Sequence, residues 1–246
     1  LKSWSRIPIH TQPLNFFAVG TSGVGKTFTA EQLADALKPN GHRSVIFSMT
    51  EYSRESDLAK LIGSAPGYAG AQNRPELFSR IAACRRLVIC FDEIEKAHPL
   101  IMRTLMQLLD KGRLSWNGEN GDFRDCIILF TSNLEQEKMV EAKNIVIKKF
   151  KSQVEALRSN ELKKSITDIC CSSKSFQIPI EVWGRINRFL VYNPLQAKDV
   201  IEVAIQECCL FVKNIYLFMR IIMHLAAAGR RDYTSKESSP KSSIIS

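Results

Sequence analysis

The sequence predicts an α/β protein in which a parallel sheet of five strands carries helices on both faces and is followed by a small α-helical subdomain. Three observations support this prediction. Short apolar runs rich in β-branched and aromatic residues alternate with segments of helical periodicity. A glycine-rich segment joins the first of these runs to the first helical segment. From residue 196 onward the pattern is helical only.

The predicted strands are short apolar runs, at 14–20, 44–49, 87–93, 126–133 and 189–195. Each is nearly continuous and does not alternate between apolar and polar residues, which is typical of parallel strands covered on both faces. Helical periodicity separates the first four, at 25–37, 51–62, 75–84 and 98–110. The fifth run would join the same sheet from a distant part of the chain.

Composition indicates where the large domain ends. Residues 1–195 are assigned to the α/β domain, whose 135–175 region is lysine-rich and helical in character. Residues 196–232 are predicted to form a short helical subdomain, and the Ser/Lys-rich residues 233–246 to be a disordered tail. The apolar stretch 208–229 is interrupted by polar and charged side chains, so we predict an amphipathic helix and no membrane span.

Net charge and cysteine usage restrict the partners and the compartment. The formal charge of +9 suits an anionic partner, although surplus lysines on a solvated face explain it equally well. The seven cysteines lack C-x-x-C spacing, and Cys90 and Cys126 lie in apolar runs where a free thiol acts as a small hydrophobe. No signal peptide is recognised at the start. We therefore expect a reducing compartment, either the cytoplasm or an organelle matrix or stroma.

A phosphate-binding loop is predicted between the first strand and the first helix. The segment "GTSGVGKT" satisfies G-x-x-x-x-G-K-[ST] in this strand-loop-helix context. Glycines let the backbone curl so that its N–H groups face the phosphates. Lys26 is expected to reach the β- and γ-phosphates, and the Thr27 hydroxyl to ligate Mg²⁺. The nucleotide-binding residues predicted in this loop are Gly20, Thr21, Ser22, Gly23, Val24, Gly25, Lys26 and Thr27.

Polar side chains follow two further strands, where a parallel sheet presents its ligand site. Asp92 and Glu93 come after the run "LVICF", and we expect Asp92 to hold the Mg²⁺ shell and Glu93 to polarise the attacking water. Asn133 ends the next strand and could orient that water between Glu93 and the γ-phosphate. A turn residue that caps the strand is the alternative role for Asn133.

Six segments resemble consecutive blocks of the Clp-type AAA+ protein unfoldases, specifically the C-terminal ATPase domain of the ClpA, ClpB and ClpV kind. They are "GTSGVGKT" (20–27), "SMTEY" (48–52), "LIGSAPGYAG" (61–70), "CFDEIEKAHP" (90–99), "LLDKGRLSWNGENGDFRD" (108–125) and "FTSN" (130–133). The resemblance covers roughly 14–195. It implies a P-loop NTPase fold with a helical lid, ATP and Mg²⁺ as cofactors, and a homohexameric ring around a central pore.

The resemblance also implies roles for residues outside the phosphate site. The segment that lines the pore and grips an extended polypeptide corresponds to Gly67, Tyr68, Ala69 and Gly70, with Tyr68 as the gripping aromatic. A tyrosine packed on its own domain is the alternative. Residues 112–123 resemble a second pore loop. Arg185 matches the arginine that reaches a neighbouring subunit's γ-phosphate; Arg188 lies close by, and a surface salt bridge is the alternative for either.

The sequence departs from the family at both ends. Only nineteen residues precede the phosphate loop, so the base pocket looks incomplete. The lid's Gly-x-Arg has no secure match, because "GRR" at 229–231 comes too early, and we expect either a fragment or a diverged C-terminus. No Ile-Gly-Phe or Ile-Gly-Leu tripeptide follows Asn133, so docking to the Clp peptidase is not expected.

These observations favour an ATP-driven motor that unfolds polypeptides and threads them through its pore. A nucleic-acid-remodelling AAA+ ATPase is the first alternative, motivated by the +9 charge and by the lysines of 148–164. It is weaker, because acidic residues are mixed with those lysines and no nucleic-acid-binding motif accompanies them. A scaffold that binds nucleotide with little hydrolysis is the second alternative. The intact carboxylates oppose it and the departures in the lid favour it.

Overall fold

The structure is a computed structural model of the 246-residue chain, and it describes residues 10–63, 72–150, 155–173, 178–205 and 219. The chain divides into two compact units, Leu1–Pro194 and Leu195–Ser246. The described part of the second unit contains a helical stretch over 197–205. Most of 196–232 and all of 233–246 lie outside the described residues, so the predicted helical subdomain and tail stay predictions.

A parallel sheet of five strands forms the centre of the first unit. Its strands are β1 (Leu14–Val19), β2 (Arg43–Ser48), β3 (Leu87–Asp92), β6 (Ile127–Ser132) and β7 (Arg188–Val191). They lie in the order β2-β3-β6-β1-β7, and all four neighbouring pairs are parallel. The predicted five-stranded parallel sheet is therefore confirmed, including the strand that arrives from the far end of the unit.

Helices cover both faces of this sheet, as predicted. The α-helices of the described part of the first unit are α1 (Lys26–Ala36), α2 (Leu58–Ile62), α3 (Glu76–Ala83), α4 (Pro99–Lys111), α5 (Gln136–Lys149), α6 (Glu155–Ser172) and α7 (Ile180–Arg185). Successive residues of β1 alternate between two apolar clusters: Ala18 packs with Ala30 and Ala34 of α1, whereas Phe17 and Val19 pack with the helices of the opposite face.

The region 51–62 was predicted as one helix, and the prediction is wrong in extent. Two 3₁₀ turns, Met49–Tyr52 and Glu55–Asp57, precede the short helix α2. The Asp57 carboxylate accepts a hydrogen bond from the main-chain N–H of Arg54 at 3.2 Å, which favours a turn at this point. The apolar residues of 51–62 therefore have helical spacing, although the helix is interrupted where the Asp57 side chain contacts the main chain of Arg54.

Residues 113–122 form an antiparallel hairpin of β4 (Arg113–Trp116) and β5 (Glu119–Asp122). The two residues between the strands, Asn117 and Gly118, have φ values of 46° and 80°. Positive φ at both positions is what the tightest hairpin turns require, and Asn-Gly is the preferred pair for them. No strands were predicted for this segment, which was assigned only by its resemblance to a second pore loop.

None of the described helices combines the length and the apolar character needed to span a membrane.

Candidate active site

The carboxyl ends of β3 and β6 and the loop after β1 meet around a cavity of about 250 Å³. The residues that line it come from three separate segments of the chain: Ser22, Gly23, Gly25, Lys26, Thr27, Phe28, Asp92, Glu93, Thr131 and Asn133. Most of the residues predicted for the phosphate site are thus brought together in one place. Their individual roles stay predictions.

The conformation of the glycine-rich loop explains why glycine occupies positions 20 and 25. Gly25 is the residue directly before α1 and has a φ of 91°, a left-handed conformation that strains any residue with a side chain. A Cβ at Gly20 would lie 2.7 Å from the Cβ of Tyr192, closer than two such atoms approach. The remaining loop residues Thr21, Ser22, Gly23 and Val24 complete the turn between β1 and α1.

Lys26 is buried at the bottom of the loop, with only 7% of its surface exposed. Its Nζ donates hydrogen bonds to the carbonyl oxygens of Gly20 at 2.8 Å and Thr21 at 2.7 Å, and to Oδ1 of Asn133 at 2.7 Å. Burial lowers the pKa of Lys26, while the charges of Asp92, Glu95 and Glu93 oppose that shift. The site therefore holds a buried cation whose donors all point to oxygen atoms.

Asp92 ends β3 beside the first turn of α1. Its Oδ1 accepts hydrogen bonds from the hydroxyls of Thr27 at 2.7 Å and Thr131 at 2.5 Å. The predicted Mg²⁺ ligands, the Thr27 hydroxyl and the Asp92 carboxylate, are therefore adjacent on the wall of one cavity. Mg²⁺ in nucleotide sites is held by one or two protein oxygens together with waters and phosphates. The two side chains fit that requirement.

Glu93 and Asn133 are linked across the ends of β3 and β6. Glu93 has a φ of 54°, a left-handed turn, and its main-chain N–H donates to the Thr131 hydroxyl at 2.9 Å. Asn133 Nδ2 donates to Oε1 of Glu93 at 3.1 Å, while Asn133 Oδ1 accepts from Lys26. The Asn133 amide thus bridges the buried cation and the carboxylate that was predicted to polarise water.

Two residues of the site were missed in the sequence. Thr131 is fully buried and joins the Asp92 carboxylate to the Glu93 main chain. Glu95 accepts a hydrogen bond from the main-chain N–H of Asn133 at 3.1 Å. A polar residue near the end of an apolar strand and a second acid two positions after Glu93 are the signals that could have found them.

Arg185 does not reach this cavity within the chain. Its Nε donates to Asp110 at the end of α4, and its Nη1 donates to the carbonyl of Glu181. The contact with Asp110 is the salt bridge that stood as the alternative, and reach into a neighbouring subunit stays a prediction. The nearby Arg188 donates to the Ser159 hydroxyl at 2.8 Å.

The predicted pore segment, Gly67, Tyr68, Ala69 and Gly70, lies outside the described residues.

A second cavity, of about 500 Å³, lies beside the glycine-rich loop. Its lining combines Thr21 with residues of α5 and with the segment after β7, among them Val140, Ile145, Tyr192 and Pro194. The Thr21 carbonyl accepts from Lys26, so one loop residue connects the two cavities. These apolar side chains lie among polar and charged side chains of α5, a mixture that suits a planar organic group with polar edges.

The chain was compared with known proteins. A family model described as "AAA domain (Cdc48 subfamily)" matches residues 11–188. The human mitochondrial disaggregase is 28% identical over 221 residues, which cover 82% of this chain and 31% of that protein. The ClpB chaperone of Wolinella succinogenes is 33% identical over 190 residues, 77% of this chain and 20% of its own length.

A third relative, a homologue of the ATP-binding subunit ClpA of the ATP-dependent Clp protease from Trieres chinensis, is 32% identical over 220 residues, 82% of this chain and 24% of that protein. The chain thus spans less than a third of the length of each of these relatives.

Proposed function

The chain belongs to the AAA domain family of the Cdc48 subfamily, as a Clp-type AAA+ ATPase domain, and we propose that it is the motor part of an ATP-dependent protein unfoldase or disaggregase. In this proposal it binds ATP with Mg²⁺ and hydrolyses the γ-phosphate. It works as a subunit of a homohexameric ring and acts on polypeptide substrates. The family and the names of the relatives support chaperone-type action, and the motor function itself is the proposal.

One observation carries the proposal: a buried lysine, two adjacent carboxylates and an asparagine from three strand ends line the same cavity. A buried ammonium recognises polyphosphate, and a carboxylate beside it can accept a proton from water. Neither a structural salt bridge nor a glycine-rich turn requires all of these groups together.

The residues divide the chemistry between them. Lys26 and the loop N–H groups bind the phosphates, and Thr27 with Asp92 would hold the Mg²⁺ ion, which supplies charge neutralisation when bound. Glu93 accepts a proton from the attacking water. Asn133 orients the Glu93 carboxylate through its Nδ2. The second cavity, beside Thr21, is the proposed place for the nucleoside.

Two parts of the proposal depend on assembly and rest on the resemblance. Arg185 would stabilise the transferring phosphoryl group of a neighbouring subunit, which would make hydrolysis depend on ring formation. Tyr68 would contact the polypeptide in the pore and move with the nucleotide state. A reducing compartment also belongs to the proposal, because the five cysteines that the structure describes are free thiols.

Replacement of Glu93 by Gln tests the hydrolysis step. The amide keeps an oxygen acceptor for Asn133 but cannot take a proton, so we expect phosphate release to fall about 10²–10⁴-fold. ATP affinity, measured with a fluorescent analogue in the presence of Mg²⁺, should change by less than about threefold. The exposed Glu51→Gln variant is the matched control. Nucleotide binding by the wild-type chain without phosphate release at high concentration would instead favour the scaffold alternative.

A mixing experiment tests Arg185. The variants Arg185→Ala and Glu93→Gln should each be inactive alone, because one lacks the trans arginine and the other the base. Mixed rings should regain phosphate release, since a Glu93→Gln subunit can offer its Arg185 to a neighbour whose Glu93 is intact. If both variants assemble but their mixtures stay inactive, the role of Arg185 in a neighbouring subunit is contradicted. The surface ion pair with Asp110 is then the remaining role for Arg185.

Replacement of Tyr68 by Ala tests the threading step. Phosphate release should be retained, and unfolding of a fluorescent model substrate should be lost. An unchanged unfolding rate would remove Tyr68 from the substrate path.

A further inference from the structure

Glu95 lies at the candidate active site, yet the chemistry above gives it no role. Its Oε1 accepts the main-chain N–H of Asn133, and its Oε2 is buried without a hydrogen-bond partner among the described residues. Burying a carboxylate oxygen in this way disfavours folding unless something compensates for it. A buried polar group of this kind calls for an explanation in terms of function or of a nearby charge.

The first explanation is geometric. The parallel pairing of β3 with β6 ends at Phe91 and Phe130, and β3 turns away at Glu93 through a left-handed conformation. Asn133 lies past the end of this ladder, and its main-chain N–H donates to the Glu95 carboxylate. The Glu95 side chain thus takes the place that a strand carbonyl would occupy if the pairing continued.

The position of the Asn133 main chain matters because its side chain is short. The amide must place Oδ1 at Lys26 Nζ, 2.7 Å away, and Nδ2 at Glu93 Oε1, 3.1 Å away. An asparagine has only two side-chain torsions with which to satisfy both contacts. A shift of the main chain at this residue would therefore break at least one of them.

The second explanation is electrostatic. Burial lowers the pKa of Lys26, and the charges of Asp92, Glu95 and Glu93 oppose this shift in that order of size. The Glu95 carboxylate therefore lies within electrostatic range of the Lys26 side chain.

We propose that Glu95 is a positioning residue for ATP hydrolysis: its carboxylate fixes the main chain of Asn133 so that the Asn133 amide bridges Lys26 and Glu93. The inference rests on the proposed ATPase function. It predicts a defect in the catalytic step, because the phosphate-binding loop and the Mg²⁺ ligands are left intact.

The test compares Glu95→Ala and Glu95→Gln in the full chain, with the exposed Glu51→Ala as control. Glu95→Ala removes the acceptor for the Asn133 N–H, and kcat should fall about 10- to 100-fold, the size expected from a small misplacement of a reacting group. The affinity for the fluorescent ATP analogue should stay within about threefold. Glu95→Gln keeps an oxygen acceptor and should restore most of the rate.

A second comparison, made in the Asn133→Ala variant, separates a positioning role of Glu95 from a direct role in catalysis. If Glu95 acts through Asn133, then Glu95→Ala should lower kcat by less than about twofold further in a chain that already carries Asn133→Ala. A full further decrease there would overturn the inference. So would an unchanged kcat in Glu95→Ala, a Glu95→Gln variant as slow as Glu95→Ala, or a rise in KM that accounts for the whole defect.

Amide hydrogen exchange of Asn133, followed by NMR, tests the contact without turnover. The Asn133 N–H should be protected in the wild-type chain and in Glu95→Gln, and it should exchange at least about tenfold faster in Glu95→Ala. Equal protection in all three overturns the inference. Lack of phosphate release by the wild-type chain would refute the proposed function instead, and the exchange measurement would still decide the positioning of Asn133.

Discussion

Replacement of Thr131 by Val removes one hydroxyl from the centre of the site while keeping the shape of the side chain. The hydroxyl is fully buried; it donates to Asp92 Oδ1 at 2.5 Å and accepts from the Glu93 main-chain N–H at 2.9 Å. Valine fills the same volume but makes neither bond. The substitution therefore leaves the Glu93 N–H without its acceptor and removes one of the two hydroxyl donors from Asp92.

The expected loss of stability follows from these two contacts. A hydrogen bond to a charged group contributes about 1.5–3 kcal/mol, and a donor left without a partner costs about 1–3 kcal/mol. The methyl group that replaces the hydroxyl offsets about 0.8 kcal/mol of this loss. We therefore expect the free energy of unfolding to fall by about 2–5 kcal/mol.

Urea unfolding measures this change. With an m-value of about 2–3 kcal/mol per molar, the unfolding midpoint should shift down by about 1–2 M. Thr104→Val is the matched control, because among the described residues the Thr104 hydroxyl donates only to the Leu100 carbonyl of its own helix, at 3.3 Å. If Thr131→Val shifts the midpoint no further than Thr104→Val does, the assigned role of the Thr131 hydroxyl is refuted.

Further expectations concern the loop, the opposite end of the sheet and the nucleotide itself. Gly25→Ala should lower the free energy of unfolding by about 1–2 kcal/mol, because a φ of 91° is strained for alanine. Gly184 lies in α7 with open space around it, so Gly184→Ala should raise the free energy of unfolding by up to about 1 kcal/mol. Urea unfolding measures both changes. Burial lowers the pKa of His42 below its ordinary 6.5, so the unfolded chain takes up this proton first as pH falls. The stability contributed by neutral His42 should therefore be complete above pH 6.5. Below pH 6.5 the free energy of unfolding should fall by at most about 1.4 kcal/mol per pH unit. The His42→Asn variant should show a weaker dependence of the free energy of unfolding on pH in this range. Lys26→Ala should abolish detectable binding of the fluorescent ATP analogue, and unchanged affinity would contradict the phosphate role of this residue.

The sheet could be predicted because its central strands β3 and β6 are buried on both faces. This burial leaves nearly continuous apolar runs such as 87–92, where five of the six residues are fully buried and only the terminal Asp92 is partly exposed. The phosphate site could be predicted for a related reason. Parallel strands end at one edge, so polar residues placed directly after apolar runs must converge there.

The contacts that hold these residues in place could not be predicted in the same way. The residue types of Thr131 and Glu95 could mark them as polar groups near the strand ends, but their partners across β3 and β6 are set by the folded chain. The pair Arg185 and Asp110 is separated by 75 positions in the chain, so neither residue indicates the other. The hairpin is different, because Asn117 and Gly118 carry a local signal for it that the analysis of periodicity passed over.

The contacts of Lys26 link the phosphate-binding loop to Glu93. The three hydrogen bonds from its Nζ go to Gly20, Thr21 and Asn133. A phosphate oxygen that approaches Lys26 must compete with at least one of these acceptors. Asn133 is the acceptor with a rotatable side chain, and the same amide also holds the Glu93 carboxylate. Under the proposed function, phosphate binding at Lys26 would therefore change the contacts of Glu93, the proposed base, through the single amide group of Asn133.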